Sequence, residues 1–446
     1  MGVWFVSLMT CGSFLILLNF INKVLHKKLK TVEVDIIAQF KPFEMDGIPM
    51  ESEYMNWEEV IQEPYDKMNV NPYTRTRVIL MNGIENNSVL TSHAVERMTS
   101  NPEIKKQMAE IRRADSQQQQ TADWLNPPDQ TILETTLGYE QVAVDLTANL
   151  AQHEPDSYVK STLDFALLED FDHLYRYGCL MQILNGEDPE QITGGKTDIK
   201  PGRPTSMEHR HPDDSMRKHY DKDEAELKTK MNYITITSGE QQTELFYKSH
   251  GNMCSDDLAR KLYSEIAEIE EQHVTQYGLL GDPSETMLEK VAMIQLNEAY
   301  NYYSAAMTEP NRRIKRLWEH SAQMEITHFN MCADLIKKHE GRNIEDIMQA
   351  DSIRPLIVFE PNKKYVDQVL EEQIDLMPYN MEYVHLADLP DDWPSFRYEK
   401  MVNSDRVPSE EVVKGLDGGL AEKENAEIYQ NFRRQMNERI QRSNAK

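Results

Sequence analysis

Two Glu-x-x-His motifs, each preceded by a further glutamate at nearly the same distance, constrain this chain more than any other feature. On a helix, residues three positions apart lie on one face one turn apart, so the carboxylate and imidazole of each motif can reach one metal centre. The preceding glutamates lie 30 and 27 residues upstream, a separation that spans one helical hairpin. The two sets are Glu240 with Glu270 and His273, and Glu298 with Glu325 and His328.

The histidines of these motifs continue apolar stripes of their predicted helices. His273, for example, follows Leu262, Ile266 and Ile269 at helical spacing. A carboxylate on such a face does not stay ionised without a partner, and a metal ion is the simplest one. Because carboxylates and imidazoles suit iron or manganese, we predict two such ions in a four-helix bundle. The alternative is a buried carboxylate and histidine network that joins the helices without metal.

A weaker copy of the same pattern lies upstream at an offset of 155 positions. The offset carries Asp115 and Gln118 onto the Glu and His of the first motif, and Glu140 falls three residues short of Glu298. We therefore predict an internal duplication whose first copy has a degenerate site, with one or two ions at most. The candidate metal ligands of this first copy are Glu85, Asp115, Glu140, Asp170 and His173.

The predicted fold class is an all-α core of two tandem bundles, each with four helices. An up-down topology, a crossover topology and pairing of hairpins across the two copies all remain open. The predicted segments are an apolar N-terminal stretch (1–30), an irregular arm (31–80), the first bundle (81–183), a long polar connection (184–236), the second bundle (237–340) and a C-terminal extension (341–446) with a strand at 355–359.

The segments Glu240–Tyr247 and Leu262–His273 resemble the first hairpin of rubrerythrin-like members of the ferritin-like superfamily. The resemblance covers about 100 residues of the chain well and the upstream copy weakly. It implies a non-haem di-iron centre that reduces peroxide or oxygen or oxidises ferrous iron. The chain departs from the family in lacking a rubredoxin-like domain, because its four cysteines lie far apart. We therefore expect electrons to come from an external donor.

The leading functional hypothesis is an iron or manganese oxidoreductase with two ions in the second bundle. Two alternatives remain: a metal-binding or structural protein without turnover, and a ferroxidase that sequesters iron in a cage-like oligomer. Glu240 and Glu298 are the expected bridging or chelating carboxylates, and each histidine is expected to be terminal on one ion. Three tyrosines lie near these positions by helical spacing, although a plain core role is favoured for each: Tyr247, Tyr277 and Tyr302.

Charge and termini limit the partners. The chain carries 75 Asp and Glu against 48 Lys and Arg, a formal charge of -27 that disfavours binding to nucleic acid. Residues 3–21 are uncharged and are followed by basic residues, so they predict either a membrane anchor that leaves the rest cytoplasmic or an extension that does not insert. Homo-oligomer formation stays open. The cluster Glu208–His211 is expected to be a solvated loop, with the alternative that it covers the first site and supplies the imidazole that Gln118 lacks. Glu382-x-x-His385 is expected to be structural.

Overall fold

Eight long helices in four antiparallel hairpins make up the core of the protein, for which the computed structural model describes residues 39–444. The predicted all-α core is confirmed. A short helix α1 (Trp57–Val60) precedes it. The core helices are α2 (Pro72–Met98), α3 (Pro102–Asp123), α4 (Ile132–Gln152), α5 (Ser157–Asn185), α7 (Leu227–His250), α8 (Asp257–Gly278), α9 (Met287–Thr308) and α10 (Arg312–Glu340), with α6 (Glu190–Thr193) in the connection between the halves.

Local sequence sets where these helices begin and end. Thr131 and Thr286 open α4 and α9 with the same capping box, in which a glutamate three residues on returns a hydrogen bond to the cap backbone. Asn71 and Asn101 cap α2 and α3, each followed by a proline at the first helical position. The helix α2 therefore begins nine residues earlier than the sequence period indicated.

The hairpins pair across the two halves of the chain. Hairpin α2–α3 packs against α9–α10, and α4–α5 packs against α7–α8, while α2, α4, α7 and α9 meet at the centre. The predicted ranges 81–183 and 237–340 group the helices differently. The reason is physical: each hairpin carries an inward glutamate on its first helix and, on its second, a carboxylate three residues before a histidine or glutamine. This pattern alone does not determine which hairpins pack together.

Two segments that are irregular apart from the short helices α1 and α6 and a few 3-10 turns cover the core helices. We call residues 39–71 the first strap and residues 186–226 the second strap. Their backbones make the same contacts: Tyr65 N donates to Leu125 O and Tyr220 N donates to Leu280 O, both at 3.0 Å. The offset between these pairs is again 155 positions.

The C-terminal extension packs mainly on α5 and α8. It contains a two-stranded antiparallel sheet, in which Leu376 faces His385, rather than the strand predicted at 355–359. That segment is instead an extended stretch whose Leu356, Ile357 and Phe359 are buried under the helices. The elements are α11 (Ile344–Met348), α12 (Lys363–Gln373), β1 (Leu376–Tyr379), β2 (Glu382–His385), α13 (Pro394–Val402), α14 (Pro408–Lys414) and α15 (Glu427–Asn444).

The predicted anchor at residues 3–21 lies outside the described residues. Within residues 39–444, no helix combines the length and apolarity needed to cross a membrane.

Candidate metal centres

Pairing of hairpins across the halves divides the predicted ligands into two buried clusters. Each cluster takes one hairpin from each half of the chain, so neither cluster belongs to one half alone. Consequently the six ligands predicted for the second bundle do not form one site. We call the two clusters centre A, with Glu85, Asp115, Gln118, Glu298, Glu325 and His328, and centre B, with Glu140, Asp170, His173, Glu240, Glu270 and His273.

Centre B surrounds two imidazoles with four carboxylates. His273 Nδ1 faces Asp170 Oδ1 at 3.2 Å, Glu270 Oε2 at 3.4 Å and Glu240 Oε2 at 3.7 Å. His173 Nδ1 lies 3.0 Å from Glu270 Oε1, so Glu270 lies between the two rings. Ligand atoms that share one ion at about 2.1 Å in octahedral geometry are about 3 Å apart, so these distances suit a shared ion.

The other nitrogen of each centre B histidine meets a second carboxylate. His173 Nε2 lies 2.9 Å from Glu208 Oε2, and His273 Nε2 lies 2.9 Å from Glu169 Oε2. A carboxylate on the far nitrogen fixes the orientation of a ligating imidazole and raises its basicity. The structure therefore presents Nδ1 of both rings to the cluster.

The second strap supplies the charges that support these outer carboxylates. Arg203 and Arg210 both bind Glu169, whose pKa is lowered well below its usual range because the arginines and His273 outweigh the effect of burial. Arg203 also lies over the ring of Phe165, 4.2 Å from its centroid. The strap is therefore a buried wall of centre B, and the prediction of a solvated loop at Glu208–His211 is wrong for its first three residues, which are at most 7% exposed.

Centre A has the same plan with one histidine. His328 Nδ1 lies 3.0 Å from Glu325 Oε2 and 3.2 Å from Asp115 Oδ1. Gln118 Nε2 donates to Glu325 Oε1 from the position that corresponds to His273. Ser88 Oγ donates to Asp115 Oδ2 at 2.6 Å. The carboxylates therefore have polar neighbours but only one imidazole.

The first strap closes centre A in the way that the second strap closes centre B. Glu53 Oε2 lies 2.7 Å from His328 Nε2, and both side chains are buried. Glu53 and Glu208 each follow a single 3-10 turn, and each donates its N–H back to the first residue of that turn at 3.1 Å. Sequence reasoning missed Glu53. The signal was available, since the pattern Gly-x-Pro-x-x-x-Glu occurs at Gly47–Glu53 and again 155 positions later.

Many carboxylate oxygens in the two centres have no hydrogen-bond partner among the described residues. A buried polar atom without a partner is costly, and such atoms are rare in folded proteins. Their convergence at the imidazole nitrogens fits a bound cation. The unpartnered atoms include Glu85 Oε2, Asp115 Oδ1 and Glu298 Oε1 in centre A, and Glu140 Oε2, Glu240 Oε1 and Oε2, Asp170 Oδ1 and Oδ2, Glu270 Oε2 and His273 Nδ1 in centre B.

Burial and mutual repulsion favour the protonated form of Glu240 and Glu298 in the metal-free protein, whereas His173 and His273 outweigh burial and lower the pKa of Glu270 to about 2. Burial, aided by neighbouring carboxylates, raises the pKa of Glu240 and Glu298 well above the usual range. Burial alone would lower the pKa of His273 and His328, but the facing carboxylates outweigh it and raise both pKa values well above normal. A divalent cation would replace these protons as the source of positive charge.

Besides two exchanges of Asp for Glu, Asp115 against Glu270 and Asp170 against Glu325, the two centres differ at four corresponding positions. With the offset of 155, His273 corresponds to Gln118, and its outer partner Glu169 corresponds to Met324. The helices α4 and α9 also correspond at this offset, because their N-cap residues Thr131 and Thr286 are 155 positions apart. Glu140 therefore corresponds to Gln295, and Glu298 occupies the place of Ala143, one turn further along.

Tyrosines contact both centres. Tyr302 Oη donates to Glu85 Oε1 at 2.6 Å, and Tyr247 Oη donates to Glu140 Oε1. Tyr247 packs with Tyr177 and Tyr263 at ring-centroid distances of 5.3 and 5.5 Å. Tyr247 and Tyr263 also line a surface cavity of about 440 Å³, so centre B lies one side chain from solvent on this face. The rings are buried, and two of the three tyrosines named from sequence also bind a candidate ligand.

Tyr277 and Glu382-x-x-His385 contribute no ligand atom to either centre. Tyr277 packs beside His273 at 6.5 Å between ring centroids. Glu382 and His385 lie on β2 and are exposed, where His385 Nδ1 pairs with Asp375 at 3.0 Å.

Comparison of this chain with models of known protein families, with curated proteins and with solved structures found no match. The resemblance to rubrerythrin-like proteins therefore stays a prediction that rests on the residues quoted for it.

Proposed function

We propose that this protein is a non-haem metalloprotein with two dinuclear iron or manganese centres, and that it carries out redox chemistry on peroxide or dioxygen with an external electron donor. The observation that supports this most strongly is the set of unpartnered buried carboxylate oxygens around Nδ1 of His173, His273 and His328. Carboxylate and imidazole donors in this ratio suit iron and manganese.

Charge balance favours two ions in each centre. Centre B holds Glu140, Asp170, Glu240 and Glu270, all buried. Four ionised carboxylates so close together repel one another strongly, and two divalent cations neutralise them. Centre A has the same number of carboxylates, so the same argument applies.

The residues of the chain position and protect such ions. A pair of bound iron or manganese ions would supply the electrons for reduction of peroxide or dioxygen. The outer carboxylates Glu53, Glu208 and Glu169 hold the imidazoles with Nδ1 inward. Tyr247 keeps its hydroxyl proton at Glu140 Oε1, next to the cavity through which a small oxidant can approach.

The test is anaerobic loading with ferrous iron or Mn²⁺, removal of free metal, and addition of hydrogen peroxide under optical detection. We expect oxidation of the bound ions in the wild type and loss of most of it in H273A, which removes an inward imidazole. H385A is the matched control, because His385 also follows a glutamate by three residues but is exposed on β2. Equal behaviour of H273A and H385A would contradict the proposal.

One observation favours the alternative of a structural network without metal. His173 Nδ1 and Glu270 Oε1 are already within hydrogen-bond distance, as are His328 Nδ1 and Glu325 Oε2. In that case the folded protein would take up no iron or manganese, and H273A would lower the free energy of unfolding equally with and without added metal. Metal-dependent stabilisation of the wild type distinguishes the two functions.

A further inference from the structure

Centre A contains a group of three carboxylates that includes no imidazole. One oxygen each from Glu85, Asp115 and Glu298 lie within 4.8 Å of one another, and all three side chains are fully buried. The corresponding group of centre B includes His273 together with Glu240 and Glu270. The position nearest Glu85 is therefore the one candidate position, within residues 39–444, that is built from oxygen donors alone.

Three exchanges produce this difference, and they act together. Gln118 replaces the imidazole of His273 and offers an amide carbonyl instead. Glu298 adds a carboxylate where centre B has Ala143. Met324 replaces Glu169, so no outer carboxylate is present to orient a ring at position 118. The loss of the inner imidazole is thus matched by the loss of its support.

One oxygen of each carboxylate in this group accepts no hydrogen bond. Glu85 Oε2, Gln118 Oε1 and Glu298 Oε1 are buried and make no hydrogen bond with any described residue, and Asp115 Oδ1 lies 3.2 Å from His328 Nδ1 without a hydrogen bond. Gln118 is 2% exposed, and its amide nitrogen is used by Glu325, which leaves the carbonyl oxygen free on the same side chain. Buried carboxylate oxygens that lie this close together without a hydrogen-bond donor call for a cation.

We propose that the Glu85, Asp115 and Glu298 position is a site for a hard divalent cation, with Mn²⁺ as the transition metal it accepts, while positions that contain an imidazole take Fe²⁺. This rests on the proposed function, since it assigns the metal within the same centres. Carboxylate and carbonyl oxygens suit Mn²⁺, whereas imidazole adds affinity for iron. Centre A then holds a mixed pair, because its other position contains His328 with Asp115 and Glu325.

The experiment is anomalous diffraction from anaerobic crystals of the full chain soaked in equimolar Mn²⁺ and Fe²⁺, with data on both sides of each metal edge. We expect the ratio of manganese to iron at the Glu85 position to exceed that at the imidazole-containing positions by about tenfold or more. An equal or lower ratio at that position would overturn the inference while leaving the proposed function intact. Absence of either metal from every position would overturn both.

Variants give a second measurement, in which the same diffraction experiment is carried out on crystals of each variant. Q118H with M324E restores both the imidazole and its outer carboxylate, and we expect the ratio to fall to that of centre B. Q118H alone should lower it less, because nothing orients the ring. Q120H is the control, since Gln120 lies two residues further along and binds the backbone of its own helix. A ratio that none of these changes moves would contradict the assigned role of Gln118.

Discussion

Glu53 Oε2 lies 2.7 Å from His328 Nε2, although the two residues are 275 positions apart in the chain. The reciprocal contact joins Glu208 of the second strap to His173 of the first half. Each strap therefore supports the histidine that the other half contributes. The two halves interlock at both centres, and the straps belong to the candidate sites as much as the helices do.

Removal of the outer carboxylate should weaken one centre selectively. In E53Q the amide holds His328 less firmly and no longer raises the basicity of its Nδ1, so we expect metal affinity of centre A to fall by about 10 to 100-fold. Centre B should be unchanged. Metal titration with site assignment by anomalous diffraction measures this. E51Q is the control, because Glu51 is exposed on the same strap; a similar loss in E51Q would argue against the contact.

The interlocked arrangement predicts the effect of a backbone cut. Gly195 and Lys196 are exposed in the second strap, so a protease site inserted between them should be cleavable in the folded protein. Because both centres take ligands from both halves, the two fragments should elute together and keep their metal. Fragments that separate under native conditions, each with its own metal, would show that the halves are independent bundles.

The metal-free protein should lose stability as pH rises. Burial raises the folded pKa of Glu240 and Glu298 above the unfolded value of about 4.3, so their contribution is full below that value and is lost as pH rises through the folded pKa. Burial raises the pKa of Glu208 to about 8, so its share of this loss begins near the unfolded value of about 4.3 and is complete near pH 8.

Thermal unfolding between pH 5 and pH 9 measures the effect. The stabilisation gained from added Mn²⁺ should grow over the same range, because protons cease to compete for the ligands. E208Q should remove the part of the stability loss that ends near pH 8. If the stability of the metal-free protein does not change with pH, burial does not raise the pKa of these carboxylates in the folded protein.

Gly202 tests whether close packing of the second strap on α5 is needed for stability and for metal binding at centre B. A Cβ at this position would lie 2.1 Å from Leu168 O and 2.9 Å from Asp172 N, so G202A must push the strap away from α5. We expect a loss of about 1–3 kcal/mol in the free energy of unfolding, together with weaker metal binding at centre B, whose outer partner Glu208 lies six residues on.

Two other glycines serve as comparisons. G47A makes the equivalent change in the first strap, where the Cβ would lie 2.5 Å from Thr327 Oγ1 and disturb the hydrogen bonds of that hydroxyl with the backbone of Ile48. G278A should have little effect, because no atom lies within 4 Å of its added Cβ. If G202A leaves both stability and metal binding at the level of G278A, the strap does not hold centre B.

Helical spacing was sufficient to place the ligand side chains on buried helix faces. Glu270 and His273 lie one turn apart and inward, as the motif predicts, and both are buried. The partner of each hairpin was not predictable in the same way. Every hairpin presents the same inward pattern, so the choice depends on packing along the central helices α2, α4, α7 and α9, which no local pattern specifies.

The outer carboxylates were not predicted for a different reason: Glu53 and Glu169 were not named, and Glu208 was named only in a cluster for which a solvated loop was favoured. Glu53 and Glu208 lie on irregular segments, where helical periodicity gives no information about orientation. Glu169 stands next to a predicted ligand, and its role depends on Arg203 and Arg210 from the second strap. Such long-range ion pairs follow from the tertiary fold and are not visible in a local window of sequence.

The most direct test of the central claim is elemental analysis of the full chain purified without chelator and then exposed anaerobically to ferrous iron or Mn²⁺. Four carboxylates in each buried centre predict uptake of about two ions per centre, hence up to about four per chain, with the highest affinity in centre B. H173A combined with H328A should reduce this content in both centres at once. A helical, folded protein that takes up no iron or manganese would contradict the account and leave the two clusters as structural networks.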